Sequence, residues 1–370
     1  MTAPSTAART TANYDRFYGT VMEEWDPGYE DLVFEAFEWL WIVNQFQKVW
    51  KTGGRDIIGN ANANKNTSAK AFRGLDTLTP PAEEGPLTWK VSMANYVVSM
   101  RELWEESIEH SGEMSMLDIF KETIERAAAS LGELLNTSFK EGSFNGSKHC
   151  VGLEEAVYYK SHGSGATGDV IRGFSTNGAF QADNSYLGIA RSGTDDGAKG
   201  WRNGSVDATG DSNFSTSSQS YAGFRRLHSL LTRGNRRPDV ALMTLKPYEN
   251  FEALAETLIK FEKYTNGEGG TANIPFDTLK WHDMLIVKWE QGTASTIAAA
   301  TNDADASDDM VYMLASWTWK IAFETQAYFA QTPWVQANDA LARTSHMVVR
   351  TSGPYCINPR YNGVMGDYGV

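Results

Sequence analysis

The sequence predicts an α+β fold, and three observations lead to that prediction. Apolar residues recur every three or four positions in "SMLDIFKETIERAAASLGELLNTSFKEG", which predicts a long helix from Ser115 to a stop at Gly142. Strand-like runs at about 71–78 and 87–99 are separated by proline and glycine, which predicts a long hairpin. β-rich runs within 279–350 then follow a region rich in Gly, Ser, Asn and Asp.

An aromatic helix is expected near the N-terminus, from about Pro27 to Lys51. Asp26 precedes it as an N-cap, and acidic residues crowd its first turn. Its aromatic residues cover most of the circumference of the helix instead of forming a single stripe. Two interpretations stay open: a central core helix, or an arm that packs against other chains and uses Trp39, Trp41 and Trp50.

The segment "RRPDVALMTLKPYENFEAL" is a strand followed by a helix. Asp239 is expected to start a buried strand and Pro247 to turn the chain, after which Phe251 and Leu254 are buried at helical spacing. Such a junction can bind a phosphate or position a nucleophile, but this segment has neither a nucleophile nor a cluster of donors for a phosphate. We therefore interpret it as a scaffold corner.

Composition excludes several classes of protein. The chain has 370 residues and a formal net charge of −13, which argues against a free-standing nucleic-acid-binding protein. Its two cysteines lie far apart, which favours reduced thiols over a disulfide framework or a zinc site. No run of 18 apolar residues occurs, so neither secretion nor membrane insertion is expected.

The motifs of enzymes and metal sites are missing or incomplete. The Gly-rich loop His162–Asp169 lacks the ending of a P-loop, and "NDADASDDM" lacks the glycine and the last glutamate of a calcium loop. The six histidines are scattered, and no nucleophile elbow is present. No catalytic residue, cofactor or metal ligand is therefore assigned, and the chain is expected not to be an enzyme. The alternative from a different class is an enzyme with a ligand site in the Gly-rich middle region, at Gly163 and Gly165.

Segments in order along nearly the whole chain resemble those of tailed-bacteriophage major capsid proteins of the Hong Kong 97 type. "FRGLDTL" and "LTWKVSMANYVVSMREL" are similar to the E-loop hairpin and its return strand, and "MLDIFKETIERAAASLGELLNTSFKEG" is similar to the P-domain spine helix. Consecutive segments of the A-domain are resembled by "HCVGLEEAVYY", by "YLGIARS" with "WRNGSVD", and by "RRPDVALMTLKPYENFEAL". "FDTLKWHDMLIVKWE" and "DDMVYMLASWTWKIAFE" resemble the return to the P-domain.

The resemblance implies a division of the chain into the parts of that fold. The parts are an N-terminal arm with the aromatic helix (1–52), an E-loop hairpin (53–100), a P-domain spine region (101–149), an A-domain (150–305), P-domain return strands (306–345) and a C-terminal strand assigned to the A-domain (346–370).

It also implies a function. The chain would assemble with itself as hexamers and pentamers into an icosahedral phage head, built in the host bacterial cytoplasm, that encloses double-stranded DNA without sequence-specific binding. The lead before Pro27 is too short to resemble a fused scaffolding domain, so a separate scaffolding protein is implied, together with a portal and, as an optional partner, a decoration protein. An encapsulin-type nanocompartment shares the fold and remains the alternative; a tail-tube or sheath subunit would form open tubes.

Candidate intersubunit contacts follow from these expectations. On the hairpin they are Arg73, Trp89 and Lys90, and the tryptophans of the aromatic helix join them. Arg236 and Arg237 could pair with carboxylates of a neighbour, although exposed ion pairs contribute under about 1 kcal/mol. For each residue the alternative is an ordinary packed or solvated side chain.

Overall fold

A computed structural model of the chain describes residues 33–34, 37–61, 71, 73–74, 87–103, 113–157, 179–180, 185–191, 200–207, 217–258, 278–289, 306–336 and 342–368. The helices are α1 (Glu38–Asn44), α2 (Glu113–Glu141), α3 (Leu153–Ala156), α4 (Ser217–Leu231) and α5 (Leu245–Leu258). The strands are β1 (Gln47–Lys51), β2 (Asp56–Ala61), β3 (Leu87–Ser92), β4 (Ala94–Leu103), β5 (Ala179–Phe180), β6 (Ser185–Tyr186), β7 (Ile189–Ala190), β8 (Gly204–Asp207), β9 (Val240–Met243), β10 (Thr278–Trp281), β11 (Met284–Lys288), β12 (Ala306–Leu314), β13 (Trp319–Glu324), β14 (Ala330–Gln331), β15 (Val335–Gln336), β16 (Ala342–Cys356) and β17 (Gly363–Tyr368).

One sheet is organised around the long strand β16. The first part of β16 pairs antiparallel with β4, and its last part pairs with β13. Strand β1 adds to the outer side of β13 in parallel, and β14 and β15 pair with the middle and the start of β16. Helix α2 covers one face of this sheet, where Tyr96 and Met100 of β4 are buried.

A second sheet has the strand order β10-β11-β9-β12-β17-β8-β5. Side chains alternate across it, as the pleat requires. Ala241 and Met243 of β9 pack in a cluster with residues of α4 and α5, whereas Leu242 between them belongs to the main core. The sheet is therefore buried on both faces, between the two helices and the main core.

The predicted long helix is confirmed as α2. Ile124, Leu131 and Leu135 are fully buried, as the apolar stripe predicts. Gly142 follows its last residue with φ of +63°, and a Cβ there would overlap the backbone of Gly152. The helix ends where only glycine fits, because the next turn of chain lies too close for a side chain.

The predicted helix from Pro27 to Lys51 is wrong at Phe37, whose backbone is extended, and in its last part. Helix α1 ends at Asn44, and Gln47–Lys51 is strand β1, whose residues pair in register with Lys320–Glu324 of β13. Valine and tryptophan in this segment suit a strand as well as a helix, so the unpaired edge of β13 decides the outcome. Residues 27–32 and 35–36 lie outside the described residues.

The hairpin is present, but its first strand was predicted in the wrong place. The partner of β3 is β2, with Ile57 opposite Val91. In the predicted run 71–78, Ala71, Arg73 and Gly74 are not in a strand, and its other residues lie outside the described ranges. The pairing of β2 with β3 joins segments about 30 residues apart, so it is not visible in either segment alone.

The other β-rich predictions are confirmed as β10 to β13 and β16. Two of the predicted domain boundaries, however, do not coincide with the division of the strands between the two sheets. Strand β12 pairs with β9 in the second sheet, so a division at 305/306 separates neighbouring strands. A division at 345/346 falls inside β16. Pro247 is the third residue of α5 rather than a corner before it; the first turn of a helix tolerates the missing N–H of proline.

Candidate subunit-contact surfaces

The inner face of the β2–β3 hairpin packs on its own chain. Ile57 and Val91 are buried, and the ring centroids of Trp89 and Tyr355 lie 5.7 Å apart. A Cβ at Gly59 would overlap the Trp89 indole, so glycine makes room for the ring. The described base of the hairpin therefore packs on a core that the same chain supplies.

The outer face of the hairpin is polar around one large apolar side chain. Ile58 is 66% exposed. Nζ of Lys90 lies 2.8 Å from Oδ2 of Asp56, and the Ser92 hydroxyl donates to the same carboxylate at 2.7 Å. These hydrogen bonds, the one from Lys90 first, lower the pKa of Asp56. Lys90 thus has a partner in its own chain, whereas Ile58 presents apolar surface to solvent.

The outer face of the first sheet, opposite α2, is also partly apolar. Val97 of β4 and Val335 of β15 are 54% and 62% exposed. Both lie against the strand β16, where Val97 is opposite Val348 and Val335 is opposite Thr344. Exposed aliphatic side chains therefore lie both on the hairpin, at Ile58, and on the first sheet, at Val97 and Val335.

The three candidate tryptophans have different environments. Trp39 is completely buried, between the rings of Phe46 and Trp319, and Trp41 is also buried. The interpretation of these two as intersubunit contacts is corrected, because Trp39 has no exposed surface and Trp41 is only 8% exposed. Trp50 lies on β1 with half of its surface exposed, and its ring packs edge-on against Tyr328 at 4.9 Å.

Arginines form a second kind of surface, on α4 and the chain that follows it. An open groove of about 930 Å³ is lined by residues of α4, by Arg237 and by the end of β10. Its charged or titratable cationic side chains are Arg225, Arg226, His228, Arg237 and His282. We call this the basic groove.

Local structure explains how the basic groove forms. His282 and Asp283 make the tight turn between β10 and β11, both with positive φ, as a type I′ hairpin turn requires. The turn places His282 next to the Trp281 ring, with centroids 4.4 Å apart. Burial, followed by the nearby charges of His282 and Arg237, lowers the pKa of His228. The groove therefore brings three arginines and two histidines together in a chain with a net charge of −13.

The predicted arginines also have partners within the chain. The Arg237 guanidinium binds Oδ2 of Asp283 at 2.7 Å, and the Arg236 guanidinium lies 4.9 Å from the centre of the Trp317 ring. Arg73 is exposed. Sequence reasoning named Arg236 and Arg237 but not Arg225 or Arg226; the available signal was five arginines among residues 225–237.

The two described cysteines are poorly suited to act as nucleophiles. Burial raises the pKa of the Cys150 thiol to about 11 and that of Cys356 to about 12, which disfavours a thiolate. Among the described residues, no three His, Cys, Asp or Glu side chains lie close enough together for a metal ion. No helix in this part of the chain is long and apolar enough to cross a membrane. The Gly-rich loop His162–Asp169 lies outside the described residues.

No protein-family model matches the sequence, and no curated protein is similar to it. Solved structures do match. The capsid of an empty GTA particle has a TM-score of 0.51 at 10% identity, over 89% of each chain. A structure from Microbacterium phage Oxtober96 has a TM-score of 0.50 at 9% identity, over 88% of this chain and 90% of that one. An encapsulin complex from Synechococcus elongatus PCC 7942 has a TM-score of 0.48 at 9% identity, over 88% and 86%. The chain therefore has the Hong Kong 97-type capsid fold that its sequence predicts.

Proposed function

We propose that this chain is a structural, non-enzymatic shell subunit, the major capsid protein of a tailed-phage head. The observation that carries the proposal is the fold shared with the capsid of the empty GTA particle along 89% of both chains. Copies would assemble as hexamers and pentamers into a closed icosahedral shell around double-stranded DNA.

The parts of the fold are assigned by their sheets. The β2–β3 hairpin would be the base of the E-loop, and the sheet around β16 with α2 would be the P-domain. The second sheet with α4 and α5 would be the A-domain. This assignment moves β12 into the A-domain and the whole of β16 into the P-domain, because each pairs with strands of that sheet, and it keeps β17 in the A-domain.

Exposed apolar side chains supply the surface that assembly would bury. Ile58, Val97, Val335 and the half-exposed Trp50 lie on strands of the hairpin and the first sheet. Burying apolar surface contributes roughly 25 cal/mol per Å², and contacts that are weak singly add up over a closed lattice. Arg73, Trp89 and Lys90 remain proposed contacts beside them.

The charge of the chain suits a container for DNA. A net charge of −13 repels the phosphate backbone at short range, although salt screens charges beyond about 8 Å. DNA would thus be enclosed without sequence-specific binding. A separate scaffolding protein, a portal and, optionally, a decoration protein would be the other partners, and the virion, assembled in the host bacterial cytoplasm, would be its location.

Electron microscopy of the purified chain tests the proposal. Closed shells of uniform diameter are the expected result, and nuclease-protected DNA inside native particles would identify a capsid. Folded protein cargo instead of DNA would favour the encapsulin alternative, and open tubes would favour a tail subunit. A chain that stays monomeric at all concentrations, or that binds a nucleotide stoichiometrically until Gly163 or Gly165 is replaced, would contradict the proposal.

A further inference from the structure

The basic groove is built on a stretch of chain that carries no acidic residue. Between Asp211 and Asp239 the sequence contains five arginines and one histidine but neither aspartate nor glutamate. Over the whole chain the balance is the reverse, with 46 acidic residues against 33 lysines and arginines. Positive charge is therefore gathered at one place in a chain that is otherwise acidic.

Helix α4 presents this charge on its solvent side. Phe224 and Leu227 are buried in the cluster that covers the second sheet, as the apolar side of an amphipathic helix is. Arg225 and Ser229, one turn apart, are exposed and line the groove. The Arg225 guanidinium lies 5.8 Å from the centre of the Tyr221 ring, and this cation–π contact stabilises its position beside the groove.

Carboxylates do not line the groove. None of the described residues along it is acidic. Helix α5 packs on α4 through the ring of Phe251, but its Glu249 and Glu252 are not among the lining residues. Next to the groove, the Asp283 carboxylate binds Arg237 at 2.7 Å, with side-chain exposures of 71% and 50%. An ion pair that exposed contributes under about 1 kcal/mol, so Arg237 can exchange this partner for another anion.

These features suit the phosphate groups of a nucleic-acid backbone. Guanidinium groups donate paired hydrogen bonds to phosphate oxygens, and several cations along one groove match the regular negative charge of a duplex. Stacking of bases on the groove is not favoured, because Trp281 is buried and the Tyr221 ring packs edge-on against it at 6.3 Å. The groove therefore fits the backbone of double-stranded DNA better than an unstacked single strand.

We propose that the basic groove binds the phosphate backbone of double-stranded DNA without reading its sequence. The inference rests on the proposed function, in which the shell encloses DNA. Arg225, Arg226 and Arg237 would each neutralise a phosphate. Non-specific contacts of this kind are weak, with Kd values of roughly 10⁻⁴ to 10⁻⁶ M at physiological salt. Repeated over a shell, they would hold DNA at fixed points, while the net negative charge of the chain repels it elsewhere.

Binding of a fluorescent DNA duplex to the unassembled chain tests the proposal. Fluorescence anisotropy measures the Kd of a short mixed-sequence duplex over a range of salt concentrations. Arg225→Gln with Arg226→Gln should weaken binding about tenfold or more and reduce the slope of log K against log salt by about 2, because two phosphate contacts are lost. Arg225→Lys with Arg226→Lys keeps the charge, so it should keep most of the affinity and the slope.

Two matched controls separate the groove from general charge. Arg126→Gln with Lys148→Gln removes the same charge from exposed positions outside the groove and should leave the salt slope unchanged. Conversely, Asp283→Asn removes the carboxylate that competes for Arg237 and should tighten binding, whereas Glu133→Gln on α2 should not. Asparagine tolerates the positive φ of this turn position, and circular dichroism checks that every variant is folded.

The outcomes separate this contact from its alternatives. No binding by wild type at low salt, a groove variant that binds like wild type, or a strong preference between duplexes of different sequence overturns the contact. A groove variant that cannot form shells in the absence of DNA, where wild type can, would also overturn it, in favour of a contact between copies. Wild type that binds DNA through the groove but never forms shells upholds the contact and contradicts the proposed function. DNA-filled shells from wild type, with DNA binding unchanged in the groove variant, overturn the contact alone.

Discussion

Replacing Glu154 by Gln should stabilise the folded chain, and more so as pH rises. Glu154 lies on the short helix α3, with both carboxylate oxygens buried and without a hydrogen-bond partner within the described structure. Burial raises its pKa to about 7; the charge of Lys140 opposes this shift, and that of Glu141 adds to it. A carboxylate is thus held where its ionised form is poorly solvated.

The size and the sign of the effect follow from the pKa. A rise from 4.5 to about 7 corresponds to about 3 kcal/mol of preference for the protonated form in the folded state. Because the folded chain binds the proton more tightly than the unfolded chain, this stabilisation is fully present below about pH 4.5. It is lost as pH rises through about 7. Glutamine keeps the shape without the charge, so it avoids the loss.

Urea unfolding of the unassembled chain at about pH 5 and about pH 8 measures the difference. The free energy of unfolding of Glu154→Gln should exceed that of wild type by up to about 3 kcal/mol at the higher pH and by much less at the lower one. Glu133→Gln, at an exposed position of α2, is the control and should change little at either pH. If Glu154→Gln is destabilised at both pH values, Glu154 is an ionised partner of Lys140, and the reasoning from burial is refuted.

Three further predictions concern single side chains. Gly353→Ala should destabilise the fold by about 3 kcal/mol in thermal unfolding, because φ is +68° and a Cβ would overlap a backbone carbonyl, whereas Gly234→Ala, at φ of +62° in open space, should cost about 1 kcal/mol. Tyr96→Phe should cost about 1–3 kcal/mol in urea unfolding, since the lost hydroxyl accepts a buried backbone N–H at 2.9 Å; a neutral result would refute that role. Ile58→Asp should lower the yield of assembled particles without loss of soluble chain, and Asn60→Asp on the same hairpin face should not; equal yields would exclude Ile58 from the contact.

Patterns that repeat along a segment identify its secondary structure without knowledge of its partners. Helix α2 is predicted with its core face because its apolar stripe runs for many turns. The β10–β11 hairpin and the strand β13 are likewise indicated by their own residues. Arg237 is visible in the sequence, but its assembly with His282 into one groove depends on a turn about 45 residues away.

Where the residues of a segment allow more than one conformation or pairing, the partner strand decides which one forms. The segment Gln47–Lys51 is a strand because β13 offers an unpaired edge, and β2 rather than a later segment pairs with β3 because their apolar residues match across the hairpin. Trp39 and Trp50 occur in one aromatic run, yet one ring is buried and the other half exposed. The sequence by itself determined the fold class, the spine helix and the acidic character of the chain, since periodicity and charge are local properties. Only the tertiary structure decided which aromatic and charged side chains reach the surface, because burial depends on segments distant in the chain.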